Sequence, residues 1–572
     1  VRILSFQSGP HDASAAAFED YRLLAAVQEE RLRREKSWGG DVPWLAIDEV
    51  LRIAGWSRFD VDAIALIRGI FPVHYLRFSL PHDLYYTLRR SAGKERLSRD
   101  LSILSTRTGK KSEQLFRFDR FIAENGFRPD VDFRFVNHHE AHALAALFYT
   151  DWDDALVYTA DGIGDNVSYS IRALKDGRLE CLFGGDEWLT VRQAPYNSLA
   201  TAYGQATQAA GFRMWRHEGK LTGLSARGEP MLRDAFARHF RLADDGLIAS
   251  DFTTWKSMLD ATRAICVGHA RETIAASIQK LVEDLMSGAV GHWLARTKSR
   301  RLALAGGLFA NVRLNRLLAE TLPLDEIFIF PAMGDDGLAV GAALGYLRDR
   351  DGLAAWLAQR RRLDNLYLGR DYDGEIDACL TSEKRVRRLV GEPSATELVE
   401  AGKAGAIYVG RMEHGPRALG ARSIIANPTD PTINDRLNKR LDRSEFMPFA
   451  PYVLEEDAAR VFEITPVNRY AARFMTITCA VRPEWRDRIP AVVHVDDTAR
   501  PQIVREADNP LFAAILRRFR ERTGIPVLIN TSFNVHEEPI VNRPQECRQA
   551  LIDGRVDFVV TKQAVYVADP EQ

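Results

Sequence analysis

Apolar and polar positions fall into the same order twice along the first half of the chain. The run Arg2-Ile3-Leu4-Ser5-Phe6 breaks into the small-residue bend Gln7-Ser8-Gly9-Pro10-His11-Asp12-Ala13-Ser14. After Ala15-Ala16-Ala17-Phe18 and the turn Glu19-Asp20, a second apolar run at 23–27 completes a β-hairpin. Leu156 to Ala160, the acidic bend Asp161-Gly162-Ile163-Gly164-Asp165, and the return run from Val167 repeat that order. Asp-Gly chemistry alone makes an ordinary hairpin, but the repetition predicts an internal duplication over 2–27 and 156–174. Around these hairpins the pattern predicts a helix at 43–54, strands at 64–67 and 133–136, and a helix at 140–149. Further on it predicts helices at 199–210 and 272–297, strands at 302–305 and 327–330, and a small-residue helix at 338–346. Residues 70–120, rich in His, Tyr and Arg, show no period and read as an insertion lying over a site. Its Arg89, Arg90 and Lys94 form a solvated basic face or meet a charged substrate.

The strand at 133–136 feeds His138-His139-Glu140-Ala141-His142. Histidines four positions apart share a helical face, so His138 and His142 grip one ion if the helix begins by Asn137. HExxH would need Glu at position 139 and HxxEH would need it at 141, so this is not a zinc-protease arrangement. A hydrogen-bonded histidine pair at a helix start is the plain alternative. Asp335, in Gly334-Asp335-Asp336-Gly337 at a strand-to-helix junction, is the natural third ligand. Two histidines and one carboxylate suit Fe(II) and Zn(II) alike. Other residues look toward phosphate: Asp161 and Asp165 flanking their glycines, Lys220 between Gly219 and Gly223, and Gly306-Gly307 with Asn311 opening a helix.

Residues 356–394 read as a connector between a domain at 1–355 and a second at 395–572. The second domain brings cations to strand ends and turns in four places. Arg411, Arg417 and Arg422 lie in one glycine-punctuated segment, and Lys439, Arg440 and Arg443 precede Phe446-Met447-Pro448-Phe449-Ala450-Pro451. Arg500 closes His494-Val495-Asp496-Asp497-Thr498-Ala499, and Asn530-Thr531-Ser532-Phe533-Asn534 ends an apolar strand. Guanidinium forks pair with phosphate and carboxylate oxygens, so together these predict one anion site holding several phosphate groups.

Composition narrows the classes. A chain of 572 residues exceeds one core. With 46% hydrophobic and 27% charged residues and a net charge of −1, it argues against a nucleic-acid partner. No apolar run approaches the ~20 residues of a membrane span. Five scattered cysteines without a CxxC, and a start that enters a strand with no signal-peptide pattern, fit a reducing cytoplasm.

Taken in order, His11-Asp12-Ala13-Ser14, His-x-x-x-His at 138–142, Asp-Gly-x-Gly-Asp at 161–165, Gly-Gly-x-x-x-Asn at 306–311 and Gly-Asp-x-Gly at 334–337 resemble the O-carbamoyltransferase family. Nodulation-factor and antibiotic-tailoring enzymes are among its members. Gly-Pro-Arg-Ala-Leu-Gly-x-Arg-Ser at 415–423, His-Val-Asp-x-Thr-Ala-Arg at 494–500 and Asn-Thr-Ser-Phe-Asn at 530–534 resemble its second domain. One departure is Met447, where many members carry Arg; Lys439 and Arg443 are the neighbours that would take up the anion. The resemblance implies an α/β fold: a two-lobed, actin-like (ASKHA, Kae1-like) N-terminal domain with a YrdC-like C-terminal domain. It implies that carbamoyl phosphate and ATP with Mg²⁺ form carbamoyl adenylate and pyrophosphate in the second domain. There Arg417, Arg422, Lys439, Arg443, Arg500, Asn530, Ser532 and Asn534 would bind the anions, with Arg417 and Arg500 catalytic. Transfer to a small-molecule hydroxyl would follow in the first domain, with His11 as base. The ion on His138, His142 and Asp335 would polarise the carbonyl, and Asp161, Gly162, Asp165, Lys220, Gly306, Gly307 and Asn311 would hold the adenylate. The rivals are a threonylcarbamoyl-type tRNA-modifying enzyme, which neutral charge disfavours, and an actin-like sugar kinase, which leaves the second domain's arginines without work. A hydrogenase-maturation enzyme would need CxxC zinc modules that the chain lacks. A homodimer is the default assembly.

Overall fold

The computed structural model of the protein describes residues 1–77, 98–192, 194–390, 394–443 and 447–569. Its N-terminal half holds two five-stranded sheets of one topology. In the first, β1 (Arg2–Gln7), β2 (Ser14–Glu19) and β3 (Arg22–Gln28) form an antiparallel meander. Strands β4 (Ala63–Ile67) and β5 (Asp132–Val136) extend it in parallel from β1. In the second, β6 (Ala155–Gly164), β7 (Val167–Lys175) and β8 (Arg178–Phe183) make the meander. Strands β9 (Arg301–Ala305) and β10 (Glu326–Ile329) extend it in parallel from β6. The orders β3-β2-β1-β4-β5 and β8-β7-β6-β9-β10 are the same, so the duplicated pattern is a duplicated lobe, the arrangement of an actin-like fold.

Two helices fill the space between the sheets. α1 (His138–Phe148) leaves β5, and α5 (Leu338–Asp351) follows β10. Ile3, Ala65 and Ile67 of one sheet and Val157, Ala303 and Phe328 of the other close over Leu144, Leu147, Val340 and Leu344 in one core. The helices approach closely because their contact is built from small residues: a Cβ on Gly341 would fall 2.0 Å from the Ala141 carbonyl oxygen. Three further helices matter for the site or its support: α2 (Glu218–Leu224), the 27-residue α3 (Arg271–Thr297) and α4 (Val312–Thr321). α3 packs in the large core on the outer side of the second sheet.

Much of the described part of the segment at 70–120 belongs to a core. Phe71, Leu101, Leu115 and Phe116 are buried in the outer core of the first lobe. Arg89, Arg90 and Lys94 fall outside the described residues.

The C-terminal domain is an eight-stranded mixed sheet. Its strands in chain order are β11 (Val386–Leu389), β12 (Gly405–Tyr408), β13 (Arg422–Ala426), β14 (Ala450–Leu454), β15 (Gln502–Val504), β16 (Val527–Ser532), β17 (Phe558–Val560) and β18 (Val565–Ala568). They are ordered β11-β18-β17-β12-β13-β16-β14-β15. Residues 356–394 are therefore not a connector. β11 is the edge of this sheet, paired to β18, and Tyr367–Asp371 pairs with Arg411–Glu413. β11 carries two exposed arginines, Arg387 and Arg388, which suit an edge strand but erase the apolar alternation by which a strand is read.

The two domains share a core rather than a hinge. The cluster around the second lobe runs on into Ile407, Tyr452, Phe512 and Val527, and Phe328 stacks on Tyr470 at 4.4 Å. Among the described residues no helix is long and apolar enough to cross a membrane, and all five cysteines are free.

Candidate active site

α1 begins at His138, two residues before the apolar pattern places it, because the Asn137 Oδ1 accepts the Glu140 backbone N–H at 3.0 Å and caps the first turn. That start puts His138 and His142 on one helical face. Opposite stand Asp161 at the end of β6 and Asp335 after β10. His142 Nε2 lies 3.0 Å from Asp161 Oδ2 and 3.6 Å from Asp335 Oδ1; His138 Nε2 lies 3.5 and 3.6 Å from the same two oxygens. The four ligand atoms fall within 4.8 Å of one another. His138 Nε2 and Asp335 Oδ1 are buried without a hydrogen-bond partner, and both face this group. Two imidazoles, two carboxylates and two orphaned buried atoms fit a metal ion.

Asp161, expected among the adenylate contacts, is thus a fourth potential ligand. The signal was present: its place at the end of β6 corresponds to the first bend on the sister sheet. His139, the third histidine of the stretch, faces away. Its nitrogens meet Thr159 Oγ1 at 2.9 Å and the Val167 carbonyl at 3.0 Å, and burial keeps it neutral, well below the usual range.

The electrostatics of the group suit a bound cation. Burial works to raise the Asp161 carboxyl, yet the two imidazoles hold it well below the usual carboxylate range. Burial likewise opposes a charged His142, but hydrogen bonds to Asp161 and Asp335 push it up to about 9. His11, in the first bend, is held at about 10. Burial opposes its charge; the Asp12 hydrogen bond at 3.0 Å and the nearby Asp335 and Asp161 outweigh it. Trp215 stacks on His11 with ring centroids 5.6 Å apart, in a left-handed backbone conformation (φ 69°) and 44% exposed. The sequence pattern gave no reason to single it out.

Glycines let these elements converge. A Cβ at Gly164 would fall 2.2 Å from the His138 ring, and one at Gly307 would fall 3.0 Å from Asp161 Oδ1. Gly306 packs on the backbone of Ala160 at φ 102°, and Gly162 lies under the Trp215 ring. These bend glycines therefore serve the metal group and its surroundings.

Two residues expected at the adenylate are otherwise engaged. Asp165 Oδ2 accepts from Arg68 at 2.6 Å and from the His138 backbone N–H at 2.9 Å, and Arg68 also grips Asp186 at 2.9 and 3.0 Å. Asn311 caps α4 by accepting from Leu314 N–H and donates to Gln279.

A second centre lies where the two domains meet. A cavity of about 330 Å³ is lined by Arg417, Arg443, Arg500, Asn530, Ser532 and Asn534 of the C-terminal domain and by Lys36, Arg216, Lys220 and Arg313 of the N-terminal one. Lys220, expected among the adenylate contacts of the first domain, lines this cavity with the arginines. Arg443 is fixed by Thr531 Oγ1 at 3.0 Å, the Ser532 carbonyl at 2.8 Å and Asn534 Oδ1 at 2.7 Å. Lys439 is exposed on its helix and is not among the residues lining the cavity, whereas Arg443 is. Met447 fills space against α2, where a Cβ on Gly223 would fall 1.6 Å from its sulfur.

Arg422 is not an anion ligand here. It is fully buried, donates to the carbonyls of Val409, Gly410 and Ala421, and lies 3.8 Å over the Tyr408 ring. Arg411 similarly donates to the Leu24 and Leu368 carbonyls, and Arg440 to Gly554 and Asp557. At the rim, His217, His536 and Glu537 form another metal-like group. Glu537 already accepts from Arg213 at 2.7 Å, Arg216 at 2.9 Å and His217 at 2.8 Å, so it reads as an inter-domain clasp.

Comparison with known proteins agrees with this two-part layout. Residues 2–344 match the family description "Carbamoyltransferase N-terminus" and residues 396–567 "Carbamoyltransferase C-terminus". Nodulation protein NolNO of Sinorhizobium fredii is 31% identical over 96% of this chain and 78% of its own. An uncharacterised protein of Methanocaldococcus jannaschii, MJ1058, is 34% identical over 75% of this chain and 73% of its own. Nodulation protein U of Azorhizobium caulinodans is 34% identical over 47% of this chain and 46% of its own.

Proposed function

The chain belongs to the carbamoyltransferase family, and from that premise we propose that it is an ATP-dependent O-carbamoyltransferase working through two centres. Carbamoyl phosphate, water and ATP react in the inter-domain cavity to give carbamoyl adenylate, with pyrophosphate and orthophosphate leaving. The carbamoyl group then passes to a hydroxyl of a sugar or natural-product acceptor beside His11. The observation that carries this reading is the cavity's charge. Arg417, Arg443 and Arg500 from one domain meet Lys36, Arg216, Lys220 and Arg313 from the other. Two polyanions repel each other until such charges are cancelled, and preorganised cations do this without solvent rearrangement.

His138, His142, Asp161 and Asp335 would hold a metal ion, which would supply Lewis-acid polarisation of the carbamoyl carbonyl. Fe(II) and Zn(II) both suit this donor set, and Mg²⁺ accompanies ATP. The chain's own contribution is orientation and proton transfer. Asp12 fixes His11 at Nδ1, which leaves Nε2 for the acceptor hydroxyl. Burial opposes a charge on His11, but the Asp12 hydrogen bond and charge, helped by Asp335 and Asp161, keep its proton on at neutral pH. Its service as a base therefore requires the pull of these carboxylates, Asp12 first, to be weakened when substrate is bound.

The test is ATP-dependent pyrophosphate release with carbamoyl phosphate as donor, set beside threonine plus bicarbonate. Release with the first donor alone is expected. Release with the second, or acceptor phosphorylation by ATP alone, would overturn the proposal.

A further inference from the structure

The overall balance of adenylate formation requires a water molecule, and so a residue to take its proton. Carbamoyl phosphate and ATP together carry one oxygen too few to give carbamoyl adenylate, pyrophosphate and orthophosphate. Among the described residues the cavity wall holds three histidines, His217, His494 and His536, and two carboxylates, Asp496 and Glu537. His217 is engaged at both nitrogens, by Glu537 at 2.8 Å and by the Arg213 backbone N–H at 3.2 Å. Glu537 is held by two arginines, and His536 stands beside it at 3.7 Å.

His494 differs. Its Nδ1 lies 3.0 Å from Asp496 Oδ1, and the same oxygen accepts from the Thr498 hydroxyl at 2.6 Å and the Thr498 N–H at 3.3 Å. A tight turn holds the pair: His494 N–H donates to the Thr498 carbonyl at 2.8 Å, and Asp497 N–H donates back to the His494 carbonyl at 2.9 Å. Two charge-assisted contacts on one oxygen fix the carboxylate, and the carboxylate fixes the imidazole with its proton on Nδ1. Nε2 is then the basic end. It is buried and has no hydrogen-bond partner among the described residues. Buried imidazole nitrogens are ordinarily satisfied, and an unsatisfied one on a residue that lines a substrate cavity marks a binding position. A base oriented by a third group is the arrangement that activates a nucleophile.

We infer that His494, oriented by Asp496, is the general base that delivers water to carbamoyl phosphate in the inter-domain cavity. The inference rests on the proposed adenylate-forming reaction. Water adds to the carbamoyl carbon, the carbon–oxygen bond to phosphorus breaks, orthophosphate leaves, and His494 Nε2 takes the proton. The carbamate oxygen then attacks the α-phosphorus of ATP, and pyrophosphate leaves. Arg417, Arg443 and Arg500 line the same cavity and would hold the two anions.

The experiment uses the full chain and the variants His494→Gln and Asp496→Asn. Orthophosphate release from carbamoyl phosphate in the presence of ATP should fall about 10²–10⁴-fold in His494→Gln and about tenfold in Asp496→Asn. Ammonium bicarbonate, which supplies carbamate directly, should restore ATP-dependent pyrophosphate release in both variants to within about threefold of the parent. Unchanged orthophosphate release in His494→Gln overturns the base assignment. So does a variant that carbamate fails to rescue, since His494 would then only shape the cavity. If the parent protein itself releases no orthophosphate, the adenylate-forming reading fails instead.

Discussion

Arg68 illustrates how much of this site is set one residue behind its ligands. It is buried at the end of β4, yet through Asp165 it holds the backbone of His138, and through Asp186 the side chain of Asn137 that caps α1. Such outer partners are typically worth 10–100-fold in metal affinity. Arg68→Met is expected to weaken Zn(II) binding by about that factor, measured by competition with a chromophoric chelator. Arg68→Lys, which keeps charge but loses the fork, should recover part of it; equal affinity in all three proteins would refute the linkage. Metal binding should also displace protons. His142 is raised to about 9 and His11 to about 10 in the metal-free protein, so both are charged at neutral pH. Raising the pH toward 9 removes the competing proton from His142, so apparent metal affinity should rise, by up to about tenfold per pH unit. Calorimetry in buffers of different ionisation enthalpy should show at least one proton released per metal at pH 7.

Among the elements, α1 is the one whose position cannot vary. It carries both imidazoles, and its backbone touches α5 at Ala141, where Gly341 leaves no room for a methyl group. Gly341→Val should lower stability by at least the ~1–3 kcal/mol usual for overpacking, seen as a fall in Tm, and should weaken metal binding with it. Gly164→Ala separates the two effects. Its Cβ would meet the His138 ring, not the core, so metal affinity should drop sharply while the apo protein's Tm changes little. A variant that binds metal normally would show that the turn after β6 yields instead. The same contacts explain what could be read from sequence. The apolar runs and the bends of β1–β2 and β6–β7 were legible because their period and turn residues are local. The partner that makes Gly341 or Gly164 indispensable sits on another element.

For the whole molecule, the notable feature is how firmly the two domains are joined around the cavity. Arg31 reaches the Gly415 carbonyl at 2.8 Å, Arg34 the carbonyls of Pro539 and Ile540 at 2.8 and 2.7 Å, and Glu537 gathers His217, Arg213 and Arg216. Burial alone would raise the Glu537 carboxyl; His217 and Arg216 bring it down to about 2. Because its folded value is depressed, its contribution is complete above the ordinary carboxylate range and is lost as pH falls toward 2. Glu537 is partly exposed, so solvent screening makes that contribution small. Glu537→Gln should therefore leave the fold and metal affinity intact. It should raise the KM for ATP in pyrophosphate release, because Arg213, Arg216 and His217 at the cavity rim lose their common anchor. An unchanged KM would show that the clasp has no part in shaping the cavity.

Sequence alone determined the duplicated lobes, a helix beside the histidine pair, and the family likeness, since each is written in contiguous residues with a period or a spacing; that the helix starts at His138 was decided by its cap. Only the tertiary structure decided which charged residues meet. It brought Asp161 to the metal group, sent Lys220 to the arginines, spent Arg422 on backbone carbonyls and Asp165 on Arg68, and turned an assumed connector into a sheet edge. The reason is physical. An aspartate or arginine looks the same in sequence whether it faces a ligand, a carbonyl or an opposite charge, and the choice is made by residues up to hundreds of positions away that share its burial.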